Sequence, residues 1–556
     1  MRPVSVRYDN SSVRVCMKKK AMCKIGLAVM LLLTPMMGWS AKRLNIVIIV
    51  GDDWGGPYAS AYTGIYGRNL PSNVVKTPNV DRIAQNGVLF KNAYVNAPSC
   101  TPSRSSIFTG RYFFNTGGGA VLGGTWDFTI PSFPLLLLDA GYHIGLTSKG
   151  WSPGTPRNAP FGGTAHYYQY FGTSVSSFSK SVTKWTAKGM PFEKAKQTML
   201  DQVRGNFEAF LADRKPDQPF FYWFGPTNTH RTWVKGSGKA LWGIEPDSLK
   251  DQLPVYLPNN PEVREDMADY LGEIQALDAY IGVLLKKLEE IGELDNTIIV
   301  ATGDNGPGGF PRGKWNLYDF GVATPLVVWY PHSTGGRVVT DFTTLMDLAP
   351  TFLEVAGVAI PPKTDGRSLL NILTSPLSGQ VDPQRTFAIT GEERHNAKAR
   401  DDSLPYPARA LRTARYLYIR NFAPDRWPMG CPYVAAHVPY VFHDIGEPSP
   451  TYDWIITNRS IPSAADYFTW AFAKRPAEEL YDAHKDPGQI NNVADDPMYA
   501  DIKKSLAEKL LAELKKAGDP RVIGDGGTFD RPPYTDLKTV ACQDTIPLNW
   551  APGSHH

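Results

Sequence analysis

Two short apolar runs, each ending in acid, constrain this chain more than any other feature. Leu44-Asn-Ile-Val-Ile-Ile-Val50 stops at Gly51-Asp52-Asp53, and the run over 296–302 stops at Gly303-Asp304-Asn305-Gly306. A nearly continuous apolar run of this length is the pattern of a strand buried on both faces, as in a parallel sheet covered by helices. In such sheets ligands bind beyond the carboxyl ends of the strands, where both acidic loops fall. One such Asp pair alone would serve to cap the next helix. Two acidic strand ends together place Asp52, Asp53, Asp304 and Asn305 above one sheet edge. Four oxygen donors suit a hard divalent cation such as Ca²⁺, which takes roughly six to eight oxygens, amide carbonyls included. A zinc site would recruit several histidines, and this chain has ten, two of them at the extreme C-terminus.

The rest of the pattern alternates. Helices are expected from Thr77 through Ala84 and over 131–140, 192–213, 260–292 and 343–355. Strands are expected over 88–95, 143–148, 218–225 and 325–330. Strands alternating with helices give an α/β fold, a large, mostly parallel sheet flanked by helices. After about residue 375 short alternating strands appear at 386–390, 408–422 and 479–482, followed by a Lys/Glu/Leu helix over 499–517. This reads as a smaller α+β subdomain. The expected organisation is thus a leader over 1–40, a catalytic domain over 41–380 and a C-terminal subdomain over 381–556.

The leader is a basic stretch from Met17, an apolar segment from Ile25 to Leu33 and a small-residue exit at Gly38 and Ser40, the form of a secretory signal peptide. Residues 1–16 read as an upstream extension. The apolar segment is short for a membrane span, which needs about 20 residues. The expectation is an exported protein, periplasmic or secreted, with no span after cleavage. Removing residues 1–40 takes away seven basic residues and one acid, which turns the formal net charge from +4 to −2. No basic stripe remains to bind nucleic acid. Three of the five cysteines stay: Cys100, Cys431 and Cys542. Cys431 and Cys542 are candidates to pair outside the cytosol, which leaves Cys100 for another task.

Cys100 opens Cys-Thr-Pro-Ser-Arg104, followed by Thr109-Gly-Arg111. On its own it is a small buried residue at a helix start. Together with Asp52-Asp53 and Asp304-Asn305, however, the stretch resembles the signature of the formylglycine-dependent sulfatases. Further matches are 77–84 to that family's first helix, and 479–488 and 492–497 to its C-terminal part, so the resemblance covers nearly the whole mature chain. It implies an alkaline-phosphatase-like fold, and a Cys100 oxidised to formylglycine by a formylglycine-generating or sulfatase-maturating enzyme. The aldehyde hydrate attacks sulfur with one hydroxyl, and the second hydroxyl then expels sulfate. It also implies one Ca²⁺ held by Asp52, Asp53, Asp304, Asn305 and the modified Cys100. Arg104 would steady the formylglycine hydroxyl, Lys149 and Lys314 would hold sulfate oxygens, and His230 would serve the bridging atom. Cations aimed at oxygens that gain charge stabilise such a transition state.

One residue departs from that pattern. Many members carry a histidine two positions after the lysine matching Lys149, and here Trp151 stands there. Ser148, Ser152, a water or Asp53 are the candidates to replace it. Within the family, 254–261, 316–318 and 405–412 most resemble heparan N-sulfatases and their bacterial relatives. The implied substrate is a terminal sulfated sugar such as N-sulfoglucosamine, cleaved in exo fashion, with His395 and Arg394 as sugar-contact candidates. The alternatives are a sulfatase of algal polysaccharide (ulvan or carrageenan), a phosphatase or phosphodiesterase on the same scaffold, and a non-catalytic binder of sulfated glycans.

Overall fold

The computed structural model describes residues 42–66, 70–434, 442, 444, 449–535 and 542–546. The leader expected over 1–40 lies outside them. The two apolar runs become neighbouring strands, β1 (Asn45–Gly51) and, fifth in chain order, β5 (Thr297–Gly303). Between them in sequence lie β2 (Val88–Phe90), β3 (His143–Ser148) and β4 (Phe220–Gly225), and after them β6 (Leu326–Trp329) and β7 (Arg337–Val339). The sheet order is β3-β4-β1-β5-β6-β2-β7. β6 runs antiparallel to both its neighbours, and the other pairs are parallel.

Both faces of β1 are buried, as its unbroken apolar pattern requires. Val47 and Ile49 face a core built with the helices Phe192–Ala212 and Pro261–Glu290. Ile46, Ile48 and Val50 face a second core that includes Phe133, Leu348 and Phe352. Ala408, Ala410, Leu417 and Ile419 of the C-terminal sheet belong to that second core as well. That sheet has four antiparallel strands in chain order: Phe387–Glu392, Ala408–Thr413, Tyr416–Asn421 and Glu478–Asp482. Its other face is covered by the helix Ala500–Lys516 through Leu506, Leu510 and Leu514.

Several expectations need correction. The strand expected over 88–95 breaks after Phe90. Ala93–Tyr94 leaves the main sheet to pair with Thr343–Thr344, helped by Asn92 Nδ2 donating to the Thr340 carbonyl at 2.7 Å. The helix expected from 343 has its α-helical part only over Leu348–Val355. Thr344 and Asp347 close a reciprocal capping box around a short 3₁₀ turn, which keeps residues 343–344 extended. The single run 408–422 is a hairpin. Helices Pro450–Thr457 and Ala465–Phe472 lie outside the expected set; each is only eight residues long, and they share a small core of Tyr452, Ile455, Ile456, Ala471 and Phe472. Cys431 and Cys542 form a disulfide, with Cα atoms 5.6 Å apart.

Candidate active site

Register places the site. β1 and β5 pair in parallel over seven residues, from Asn45 opposite Thr297 to Gly51 opposite Gly303. Asp52 and Asp304 therefore leave the sheet level with one another. The two loops then cross in contact: a Cβ on Gly55 would lie 2.2 Å from Gly306 Cα, so a larger residue has no room there. Asp53 adopts a left-handed backbone (φ 62°) that is costly for a residue with a side chain. Its N–H donates to Asp304 Oδ1 at 2.8 Å, and its carbonyl accepts from the Tyr270 hydroxyl at 2.8 Å.

The carboxylates of Asp52, Asp53 and Asp304 converge, with one oxygen of each lying within 4.8 Å of the others. Asn305 Nδ2 donates to Asp53 Oδ1 at 2.7 Å, while its buried Oδ1 has no hydrogen-bond partner. An orphaned amide oxygen beside three buried carboxylates is a donor set that fits Ca²⁺. His230 is the one histidine beside these carboxylates among the described residues, its Nε2 being 3.7 Å from Asp53 Oδ2. Burial disfavours the charged form of Asp52, but Lys149, His230, Arg104 and Lys314 together hold its pKa well below the ordinary carboxylate value. Burial raises the pKa of Asp304, opposed in part by Arg104.

Cys100 begins the helix Cys100–Thr109, all ten residues of which are buried. Its Sγ lies 3.2 Å from Lys314 Nζ and 3.7 Å from Asp52 Oδ1. Burial pushes the thiol up to about 11, with Lys149 and Lys314 pulling the other way. An unmodified Cys100 is thus a neutral thiol at physiological pH and a poor nucleophile. One turn on, Arg104 reaches back under it. Nε donates to Asp304 Oδ2 at 2.7 Å, Nη2 to Asp52 Oδ1 at 3.2 Å, and Nη1 to the carbonyls of Lys149 and Gly150, both at 3.0 Å. Lys149, directly after β3, sets Nζ 2.7 and 2.9 Å from the Asp52 oxygens. Lys314 sets Nζ 2.7 and 3.0 Å from those of Asp53. The His230 ring bonds the Arg231 carbonyl through Nδ1 at 2.5 Å, which turns Nε2 toward the carboxylates.

Asp52, Asp53, Cys100, Lys149, His230 and Lys314 open onto a cavity of about 500 Å³ whose walls include Ser152, Ser176, Ser177, Lys180, Arg231, His395 and Asn396, while Arg104, Asp304 and Asn305 are buried behind it. His395 is buried in its wall, with Nδ1 2.8 Å from Ser99 Oγ and its ring packed on Trp315. Arg394 is half-buried and does not line the cavity. Trp151 is fully buried, donates Nε1 to Ser105 Oγ at 2.8 Å and packs edge-on against Trp126. It braces the Cys100 helix from behind and leaves Ser152 at the cavity surface. Sequence reasoning missed Arg231, clamped on Asp266 at 2.6 and 2.8 Å, and Lys180. Neither sits in a motif that would have marked it.

A helix-flanked, mostly parallel sheet with a carboxylate cluster beyond its central strands defines the alkaline-phosphatase-like fold class. The family model "Sulfatase" matches residues 44–358, more than half of the chain, and the chain belongs to the sulfatase family. A second model, "N-sulphoglucosamine sulphohydrolase, C-terminal", matches residues 312–424. The chain is 25% identical to human N-sulphoglucosamine sulphohydrolase over 525 residues, covering 88% of this chain and 93% of that protein. It is 26% identical to an ulvan-active sulfatase of Formosa agariphila, covering 86% and 76%. A protein solved with its substrate D-glucosamine-2-N,6-O-disulfate shares the fold at a TM-score of 0.58 and 21% identity, over 86% of this chain and 99% of that one. Among the described residues no helix is long and apolar enough to cross a membrane.

Proposed function

We propose that this is an exported sulfatase that removes sulfate from the terminal residue of a sulfated saccharide, with N-sulfoglucosamine of a heparan-type chain as the first candidate. The observation that carries this reading is the convergence of Cys100, Lys149, Lys314, His230, Asp52 and Asp53 on one cavity, with Arg104, Asp304 and Asn305 buried directly behind them. Asp52, Asp53, Asp304 and Asn305 would hold Ca²⁺, which supplies Lewis-acid charge stabilisation. Cys100 would carry formylglycine, made by a separate maturation enzyme, which supplies a hydroxyl nucleophile when hydrated.

The chain's own residues do the rest. Arg104, fixed by four hydrogen bonds, holds positive charge beneath position 100. The amines of Lys149 and Lys314 approach from two sides and take the sulfate oxygens as charge builds on them. His230 hands a proton from Nε2 to the departing oxygen or nitrogen. His395 forms part of the wall that a sugar ring would meet. The leader over 1–40 supports export.

A second substrate reading, algal polysaccharide, draws support from the similarity to an ulvan-active sulfatase. Sulfate release from N-sulfoglucosamine, heparan disaccharides, ulvan and carrageenan fragments and an aryl sulfate tests both. Release from N-sulfoglucosamine is expected. Activity confined to algal fragments would reject the heparan assignment, and no release from any of these compounds would reject the saccharide reading.

A further inference from the structure

The lysines of the cavity floor are balanced by carboxylates. Lys149 and Lys314 pair with Asp52 and Asp53 on the floor itself, and Arg104 pairs with Asp52 and Asp304 beneath it. On the walls, Arg231 is locked in a two-pronged pair with Asp266 and adds a bond from Nε to the Gly308 carbonyl. Lys180 is different. It lines the same cavity, its side chain is exposed, and no ion pair to a carboxylate holds its amine among the described residues.

Its backbone, in contrast, is fixed. Lys180 is the third residue of the helix Phe178–Ala187, whose Phe178 and Val182 are buried in the main core. The N–H of the preceding Ser179 donates to the buried Glu273 at 3.1 Å. Ser176 and Ser177 line the cavity beside it. A cation on a rigid mount, facing a cavity and without an internal counter-ion, attracts an anion that arrives with the ligand.

We infer that Lys180 is a specificity-determining residue that recognises a second anionic group on the saccharide, apart from the sulfate that is cleaved. This rests on the sulfatase reading above. The second group is either another sulfate on the same sugar or the carboxylate of a neighbouring uronate, and both offer the oxygens that a lysine amine pairs with. Lys180 takes no part in the bond-breaking step. It selects substrates that are anionic at two points and orients them before reaction.

The test is calorimetric binding to a Ca²⁺-loaded Cys100→Ala protein, with and without Lys180→Ala. The ligands are glucosamine N-sulfate, glucosamine N,6-O-disulfate and an N-sulfated disaccharide carrying a uronate. The parent is expected to bind one of the two dianionic ligands more tightly than the monosulfate. Lys180→Ala is expected to remove about 3- to 10-fold of that affinity and leave the monosulfate unchanged, with the difference shrinking at high salt. The ligand that shows the preference identifies the second group. Equal weakening of all three ligands, or no weakening of any, would overturn the inference. Parallel sulfate-release assays on the native enzyme keep the two readings separate. A native enzyme that cleaves saccharides without a Lys180-dependent preference overturns this inference alone, whereas one that cleaves none overturns both.

Discussion

Lys314→Met probes the site from two sides. Lys314 Nζ lies 2.7 Å from Asp53 Oδ1, and the two side chains are 7% and 2% exposed. At an effective dielectric of about 20 their attraction is about 6 kcal/mol, and desolvation of both charges offsets much of it. Removing one partner of such a pair leaves the other charge buried, at a cost of about 3–5 kcal/mol. Asp53 keeps the Asn305 amide at 2.7 Å, which argues for the lower end, about 3 kcal/mol. A divalent cation on Asp53 would supply the missing charge. The stability loss, read from denaturant unfolding, should therefore be about 3 kcal/mol in chelator and fall below about 1 kcal/mol in saturating Ca²⁺. Turnover of an aryl sulfate should fall by about 10²- to 10³-fold, because a cation aimed at the reacting oxygens is gone. Mass analysis of position 100 shows whether maturation is unaffected. Equal destabilisation with and without Ca²⁺ would refute a cation site at Asp53. Near-parental turnover would refute the role of Lys314 on the sulfate.

Other perturbations give separate readings. Asp304→Ala removes a carboxylate from the cluster and the partner of Arg104 Nε, so both turnover and high-affinity Ca²⁺ binding should be lost; normal rates would move the ion elsewhere. His395→Ala should lower kcat/KM on the natural saccharide about tenfold more than on an aryl sulfate; equal losses would mean that His395 acts by positioning Cys100 through Ser99. Burial pushes the Glu273 carboxyl up to about 7 from an ordinary 4.5, against hydrogen bonds from Ser179 and Asn228. The folded state then holds a proton that the unfolded state has released, so this contribution is complete below about pH 4.5 and is lost as pH rises through about 7. Glu273→Gln should flatten the fall in stability between those values, and an unchanged slope would reject the assignment.

The fold and the reacting residues were legible for different reasons. β1 and β5 declared themselves because strands covered on both faces need apolar residues at every position. The level placement of Asp52 and Asp304 follows from that pairing, and the Cys100–Arg104 spacing is one helical turn, so both meet Asp52. What escaped notice depends on distant partners. The Arg231–Asp266 clamp joins a loop after β4 to the long helix and leaves no local trace. Thr344 and Asp347 resemble helix interior until the capping box is seen to hold the first of them extended. Trp151 looked like a gap in the catalytic set, whereas its indole fills space behind the Cys100 helix and bonds Ser105. Lys180 lay in a polar helix face like any solvated lysine, and only the cavity distinguishes it.

The most direct test of the account is the mass of the Cys100 peptide across chromatographic fractions of the purified enzyme, measured alongside sulfate release and bound Ca²⁺. The account predicts that activity tracks the fraction of peptide in which the thiol has been replaced by an aldehyde, and vanishes where Cys100 is intact. Full activity in protein whose Cys100 is an unmodified thiol would contradict it.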